Sequence, residues 1–327
     1  MWHRATIQSR KQLSPTVTGL TLKIHESSPS TSSSTTTSTF HFVPGQWVDF
    51  QPLPTSSWKT NDNNSNKTIG GYSITSIPQS LPYIDLAIQS SRHPVAEWVT
   101  YHAKVNDWVN LRVGGSFTYA TGKTTSDSCA TMKQGRLLFV AGGVGINPLF
   151  SMIQQWSVDL RQQHERNRHS RAVLLYSGRH KEDLLFVKEL DEMVRELSDH
   201  FRVVLTTTTA PATTEYTGGI VDDPPENDSS VDNEKDSIRS NILFKKGRID
   251  HDMIKDAVQW INMGNEVHDD DERQVEEEED DDMIADLVYI CGPPGMPEDV
   301  QHLLLPSQKG RIRFVRSTED VHFEKWW

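Results

Sequence analysis

Residues 137–145 read Leu-Leu-Phe-Val-Ala-Gly-Gly-Val-Gly, and no other stretch limits the possible folds as much as this junction. An apolar run without alternation reads as a strand buried on both faces. Beyond the glycines, Leu149, Ile153, Trp156 and Leu160 fall on one face of a helix. The pattern recurs. Apolar strands are expected over 172–176, 201–205 and 287–291, with amphipathic segments presenting Leu190, Val194 and Leu197 and, later, residues 253–261. Buried strands alternating with amphipathic helices imply an α/β doubly wound parallel sheet covered on both faces. Ligands of such sheets bind at the carboxyl ends of the strands, where the glycine clusters of this half sit.

Before residue 120 the period is different. Leu20, Leu22 and Ile24 alternate with polar neighbours, as do Val48 and Phe50, then Ile84, Leu86 and Ile88, then Val109, Leu111 and Val113. Short alternating strands between Gly/Pro turns suggest a small antiparallel β-barrel, with a short helix over 95–102 and a turn at Asn106-Asp107. A chain of 327 residues has room for both units. The barrel is expected over 1–121 and the α/β domain over 134–327. Four biased stretches interrupt them: 27–39, serine or threonine except at Pro29; 55–68, rich in Asn, Ser and Thr; and the acidic 209–240 and 267–282. Such compositions bury too little apolar surface to offset chain entropy, so they read as surface loops.

The net charge of −12 is mostly local: the stretch from Asp269 to Asp282 alone holds eleven acids and one arginine. Acidic runs of this kind are solvated faces rather than metal sites, and they argue against nucleic acid as a partner. No apolar run approaches the ~20 residues of a spanning helix, so no membrane span is expected. The two cysteines, Cys129 and Cys291, are too few for a disulfide framework, an iron–sulfur cluster or a structural zinc. No metal site is expected, and a reducing compartment is. Met1 to Arg4 runs straight into Ala5-Thr6-Ile7 without a secretory core. The cytoplasm is favoured, with mitochondria as the alternative that Arg4, Arg10 and Lys11 leave open.

Four motifs carry chemistry. The first is Gly142-Gly143-Val144-Gly145-Ile146-Asn147-Pro148, joining a buried strand to a helix. Glycines let a backbone approach a pyrophosphate, and the free N–H groups of a first helical turn attract its charge. Pro148 suits that turn, where a missing N–H costs nothing. Its place differs from the standard dinucleotide fingerprint, and a tight turn of no further meaning is the alternative. The second is Cys291-Gly292-Pro293-Pro294-Gly295-Met296, again at a strand's carboxyl end, where a buried small residue before a helix-starting turn is the alternative. The third is Gly70-Gly71-Tyr72-Ser73-Ile74-Thr75-Ser76 in the barrel half: an aromatic beside hydroxyls can stack on and hydrogen-bond a planar polar ring, or be an ordinary strand. The fourth is the closing His322-Phe323-Glu324-Lys325-Trp326-Trp327, whose tryptophans should lie on something flat, a ligand ring or a domain interface.

In order and spacing these four motifs resemble the ferredoxin–NADP reductase-like superfamily, a flavin-binding barrel followed by a nicotinamide-nucleotide domain. The resemblance covers nearly the whole chain outside the polar stretches. It implies that Tyr72 packs on the flavin of FAD and that Ser73 lies near the flavin N5, with Ile74 and Thr75 continuing that strand of contacts. The superfamily's Arg-x-Tyr-Ser/Thr arginine, which holds the FAD phosphate, is replaced here by Gly70. Its Gly-x-x-Ser pyrophosphate turn corresponds to His93-Pro94-Val95-Ala96, leaving Arg92 or Lys67 as substitutes. One lost charge-assisted phosphate contact corresponds to roughly 1.5–3 kcal/mol. In the second half, Gly142 to Pro148 matches the pyrophosphate turn of the nicotinamide nucleotide, and Tyr176-Ser177-Gly178-Arg179 the edge of its adenosine site. Cys291 matches the cysteine against the reacting nicotinamide carbon, with Gly292, Pro293 and Pro294 supporting it and Met296 following. Thr206 to Thr209 stand where NADP-preferring relatives carry a serine–arginine pair, so NAD(H) is favoured over NADP(H).

The mechanism implied by the resemblance is hydride transfer between the nicotinamide C4 and the flavin N5, the cofactors supplying the chemistry and the protein their alignment. Ser73, Cys291 and Glu324 are the candidate catalytic residues, Glu324 as a proton relay; Trp326 or Trp327 would cover the flavin ring. The electron acceptor, a small molecule or a redox protein, lies outside the chain. The rival is a non-enzymatic nucleotide-binding module that has lost its flavin. A one-domain dehydrogenase is disfavoured, because no acidic residue stands about 20 positions beyond the glycines.

Overall fold

The computed structural model describes residues 1–25, 39–53, 69–119, 135–162, 170–209, 242–263, 283–305 and 313–325. Apart from Thr39 and Thr209, the four biased stretches lie outside these residues, as do Cys129, Lys67, Trp326 and Trp327.

Six strands form the first sheet: β1 (His3–Ser14), β2 (Val17–His25), β3 (Trp47–Pro52), β4 (Gly70–Ser73), β5 (Tyr83–Gln89) and β6 (Trp108–Gly114). Their order is β4-β3-β6-β1-β2-β5, every pair antiparallel. The two outer strands meet through an Ile74–Leu86 bridge, and the Thr75 N–H donates to Asp85 O at 2.9 Å, so the sheet curls closed. The alternating residues of the sequence point inward: Leu20, Leu22, Ile24, Val48, Phe50, Ile84, Leu86, Val109 and Leu111 share one core. Helix α1 (Pro94–Tyr101) contributes Val95, Ala96, Trp98 and Val99 to that core. Asn106, in the expected turn, adopts a φ of 74°.

The second sheet is parallel throughout. Its strands are β7 (Arg136–Gly142), β8 (Arg171–Gly178), β9 (Phe201–Thr207), β10 (Ile242–Lys246), β11 (Leu287–Gly292) and β12 (Val321–Lys325), in the order β10-β9-β8-β7-β11-β12. Successive residues of one strand face opposite cores. Phe139, Leu174 and Val203 pack under α2 (Ile146–Gln162) and α3 (Val187–Glu196), while Leu138, Val140 and Val173 pack under α4 (His251–Asn262) and α5 (Met296–Leu304). Trp156, fully buried on α2, also satisfies its indole N–H on Ser170 Oγ at 3.0 Å.

Two of these strands were not expected. β10 is five residues long on the sheet edge, with Leu243 and Phe244 each 40% exposed, so no buried run marks it. β12 runs from buried Val321 to exposed Phe323, and no buried or alternating apolar run marks it as a strand.

The two sheets are joined through α2. Its apolar face lies on the parallel sheet, and a polar stripe at 147, 151 and 154 lies on the barrel. Asn147 Nδ2 donates to Ala87 O at 2.8 Å, Ser151 Oγ to Ser76 O at 2.6 Å and Gln154 Nε2 to Thr75 O at 2.8 Å. Three side chains spaced four and three apart share one face of a helix, which therefore bridges both cores.

Candidate functional site

Leaving β7, the chain builds β8, β9 and β10 to one side, then returns to add β11 and β12 on the other. The order therefore reverses between β7 and β11, and the crevice outside their carboxyl ends is the expected ligand position of an open α/β sheet. A cleft of about 1130 Å³ lies there, walled on its other side by the barrel residues Trp47, Asp49, Gly70, Tyr72, Ser73, Gln89 and His93.

On the parallel-sheet wall, the backbone is brought close by glycine. After β7 the chain makes one tight turn at Gly143–Gly145 and enters α2 with no acidic residue in its first turn. Any side chain at Gly145 would run into the carbonyl of Cys291, whose strand is laddered to β7 on one side and β12 on the other. One at Gly142 would meet the Met296 sulfur and the Pro293 ring. The two turns are thus packed on each other, and α2 begins at the crevice with no acid in its own first turn.

The barrel wall is aromatic and hydroxylic. The Tyr72 ring stands edge-on to Phe50, with centroids 6.0 Å apart, and burial pushes its phenol pKa above the ordinary value. Its hydroxyl lies 2.6 Å from where a Gly70 side chain would begin. Ser73 is 1% exposed, and its Oγ has no hydrogen-bond partner among the described residues. A buried hydroxyl beside a cleft, left unpaired, is costly unless a ligand completes it. The Trp47 indole lies flat on Gly114 and Gly115; a Cβ on either glycine would stand within 2.8 Å of the ring.

Thirteen of the expected contacts line this one cleft: Tyr72, Ser73, Gly142, Gly143, Val144, Gly145, Asn147, Arg179, Gly292, Pro293, Pro294, Met296 and Glu324. Ile74, Ile146 and Pro148 are buried behind it, and Thr75 gives its carbonyl to Gln154. Cys291, expected against the nicotinamide, is 0% exposed among Ala141, Tyr176 and Tyr289, and backs the Gly145 turn with its carbonyl. Trp327 lies outside the described residues. Glu324 pairs in register with Cys291 across β11 and β12. Burial raises its carboxyl pKa to about 7, and its Oε2 has no partner among the described residues. The neighbouring Lys325 is ion-paired to Glu298.

Trp47, Arg248 and Lys325 also line the cleft and were not anticipated. A signal for Trp47 existed: with Val48 and Phe50 pointing inward, it is a large aromatic on the outward face of a strand. Arg248 follows the unanticipated β10. Among the described residues no three His, Cys, Asp or Glu side chains gather as metal ligands, and no helix is long and apolar enough to cross a membrane.

Residues 139–238 match the family described as "Oxidoreductase NAD-binding domain". Over 294 residues the chain is 29% identical to the Bos taurus protein named "Oxidoreductase NAD-binding domain-containing protein 1", covering 88% of this chain and 72% of the relative. Two solved structures share the fold. The flavohem-like FAD/NAD-binding domain of nitric oxide dioxygenase from Vibrio cholerae superposes with a TM-score of 0.57 at 14% identity, covering 99% of this chain and 98% of that one. Ferredoxin–NADP+ reductase from Plasmodium falciparum gives 0.57 at 14%, covering 99% and 95%. By its matched domain and its relatives the chain resembles oxidoreductases that carry an NAD-binding domain, and its two-sheet fold is the one seen in ferredoxin–NADP+ reductase.

Proposed function

We propose that this oxidoreductase binds NADH against the parallel sheet and a flavin against the barrel, and moves hydride between them for an acceptor outside the chain. What carries the reading is the single cleft: the Tyr72–Ser73 strand forms one wall and the Gly142–Gly145 and Gly292–Met296 turns the other. The nicotinamide nucleotide fits a glycine cradle that side chains would fill, at the mouth of a helix with no acid in its first turn. The flavin ring fits an aromatic face beside an unpaired buried hydroxyl; FAD is the form the resemblance implies. When bound, the flavin supplies a two-electron acceptor for the nicotinamide C4 hydride.

The chain's own residues supply placement and proton balance. Backbone N–H groups of the Gly143–Gly145 turn and of Asn147 would hold the pyrophosphate, the Ile146 N–H being donated to Gly143 O, with Arg179 and Arg248 adding positive charge further along the cleft. Cys291, through the carbonyl that backs Gly145, fixes how near the two turns stand. Ser73 Oγ offers a hydrogen bond to the ring edge. Glu324 changes protonation close to neutral pH, which suits a group that exchanges a proton at the cleft. Thr208 in the cleft wall, in place of a serine–arginine pair, supports NADH over NADPH. Barrel and nucleotide domain are taken as 1–121 and 134–327.

Anaerobic addition of NADH to the full chain with supplied FAD should bleach the flavin band, and Tyr72→Ala should abolish that bleaching while NADH still binds. NADH binding without flavin reduction in the unaltered chain would leave the nucleotide-binding module as the better reading.

A further inference from the structure

Three of the buried side-chain polar atoms without a hydrogen-bond partner among the described residues belong to the cleft: Ser73 Oγ, Glu324 Oε2 and Asn147 Oδ1. A desolvated polar atom without a partner is rare in a fold and marks a place that something else completes. Ser73 and Glu324 already have parts in the function proposed above. The Asn147 side chain has none, since only its backbone N–H is given to the pyrophosphate. Asn147 is the second residue of α2 and is 5% exposed. One end of its amide is fixed: Nδ2 donates to the Ala87 carbonyl of β5 at 2.8 Å. A carbonyl only accepts, so the amide nitrogen must stand there and the oxygen must turn away from it. Oδ1 accepts and never donates, so whatever completes it brings an N–H or an O–H.

The place of the residue narrows the donor. Two positions earlier, Gly145 stands against the Cys291 carbonyl, and Cys291 pairs with Glu324 across β11 and β12. Through Ala87, Asn147 is also bonded to the barrel, so it stands where a nucleotide laid along the parallel sheet comes nearest the barrel wall. In the proposed reaction that end is the nicotinamide, because its hydride crosses to that wall. From these placements we infer that Asn147 Oδ1 accepts an N–H of the nicotinamide carboxamide, and so selects the ring and holds it at the seam between the walls. The inference rests on the function proposed above and adds a specificity-determining side chain to it. A site built around a substrate N–H rejects the analogue that lacks it, because the buried acceptor is then left unpaired.

The test compares NADH with reduced 3-acetylpyridine adenine dinucleotide, in which a methyl group replaces the carboxamide NH2 and the rest of the nucleotide is kept. The full chain with supplied FAD is mixed anaerobically with each in single-turnover experiments, which separate binding from chemistry. The concentration that half-saturates the rate of flavin bleaching is read, and the analogue's different reduction potential acts on the limiting rate. NADH should half-saturate at about one-tenth of the analogue concentration, and Asn147→Ala should bring the two within about twofold of each other. Ser151→Ala removes a neighbouring bond of the same seam, so its melting temperature should fall while the ratio of the two nucleotides stays. Equal half-saturation in the unaltered chain, which needs no variant to fold, would overturn the assignment and leave the proposed oxidoreductase standing. A ratio that Asn147→Ala leaves unchanged would do the same. Bleaching by neither dinucleotide would bring down both.

Discussion

Replacing Glu324 by Gln tests the cleft without any cofactor. In the unfolded chain its carboxyl titrates near 4.5; in the fold, burial at the end of β12 raises it to about 7. Folding thus favours the protonated form, so the stability Glu324 allows is complete below about pH 4.5 and is lost as pH rises through about 7. The full difference, two and a half pH units at about 1.36 kcal/mol each, is about 3.4 kcal/mol. The side chain is only partly buried, although Oε2 is shielded, and solvent screening reduces this to about 1–2 kcal/mol. Gln is neutral throughout and keeps the shape. Glu324→Gln and the unaltered chain should therefore melt together at pH 4. At pH 8 the variant should melt higher by about 2–8 °C, given about 2–4 °C per kcal/mol for a domain of this size. Scanning calorimetry across that pH range measures it. A melting difference independent of pH, or a variant less stable at pH 8, would refute a buried and unpaired carboxyl at this position.

Gly145→Ala forces a methyl into the Cys291 carbonyl, which strand pairing on both sides keeps from yielding; about 1–3 kcal/mol of stability should be lost, with NADH affinity falling by more than about tenfold by titration calorimetry. Ser151→Ala leaves the buried Ser76 carbonyl without its donor and should cost about 1–2 kcal/mol in chemical denaturation, with a loss of cooperativity between the barrel and sheet transitions. Trp156→Ala opens a cavity under α2 and removes the indole donor to Ser170, whose hydroxyl keeps its bond to Gly135 O, for about 3–5 kcal/mol; a smaller loss would mean that the helix does not rest on this face.

The sheets were legible where burial has a period. Leu137 to Ala141 is apolar on both sides because two helical layers cover it, and Leu20, Leu22 and Ile24 alternate because one side of the barrel meets water. Edge strands escape this logic: β10 and β12 are bonded to one neighbour only, and Phe244 and Phe323 are solvent-facing. The glycine turns were legible as turns. That Gly145 must be glycine because of Cys291, some 146 residues away in sequence, is a property of strand register, which composition does not encode. Cys291 could be read either as a residue facing a ligand or as a buried small one, and the structure buries it at 0% exposure in the core that holds Tyr176 and Tyr289.

The contact that makes the cleft was the least visible of all, and the reason is chemical. Asn147, Ser151 and Gln154 bond the main-chain carbonyls of Ala87, Ser76 and Thr75, and a carbonyl acceptor leaves no mark in the identity of its residue. A polar stripe on an amphipathic helix ordinarily reads as a face turned to water. Here it is buried against the barrel, directly after the glycine turn and directly behind the Tyr72–Ser73 strand. Hydrogen bonds to main chain are directional and short, so this seam sets the separation of the two walls more sharply than an apolar patch would. The same helix that offers its N-terminus to the nucleotide therefore measures the distance across which the two rings of the proposed reaction must meet.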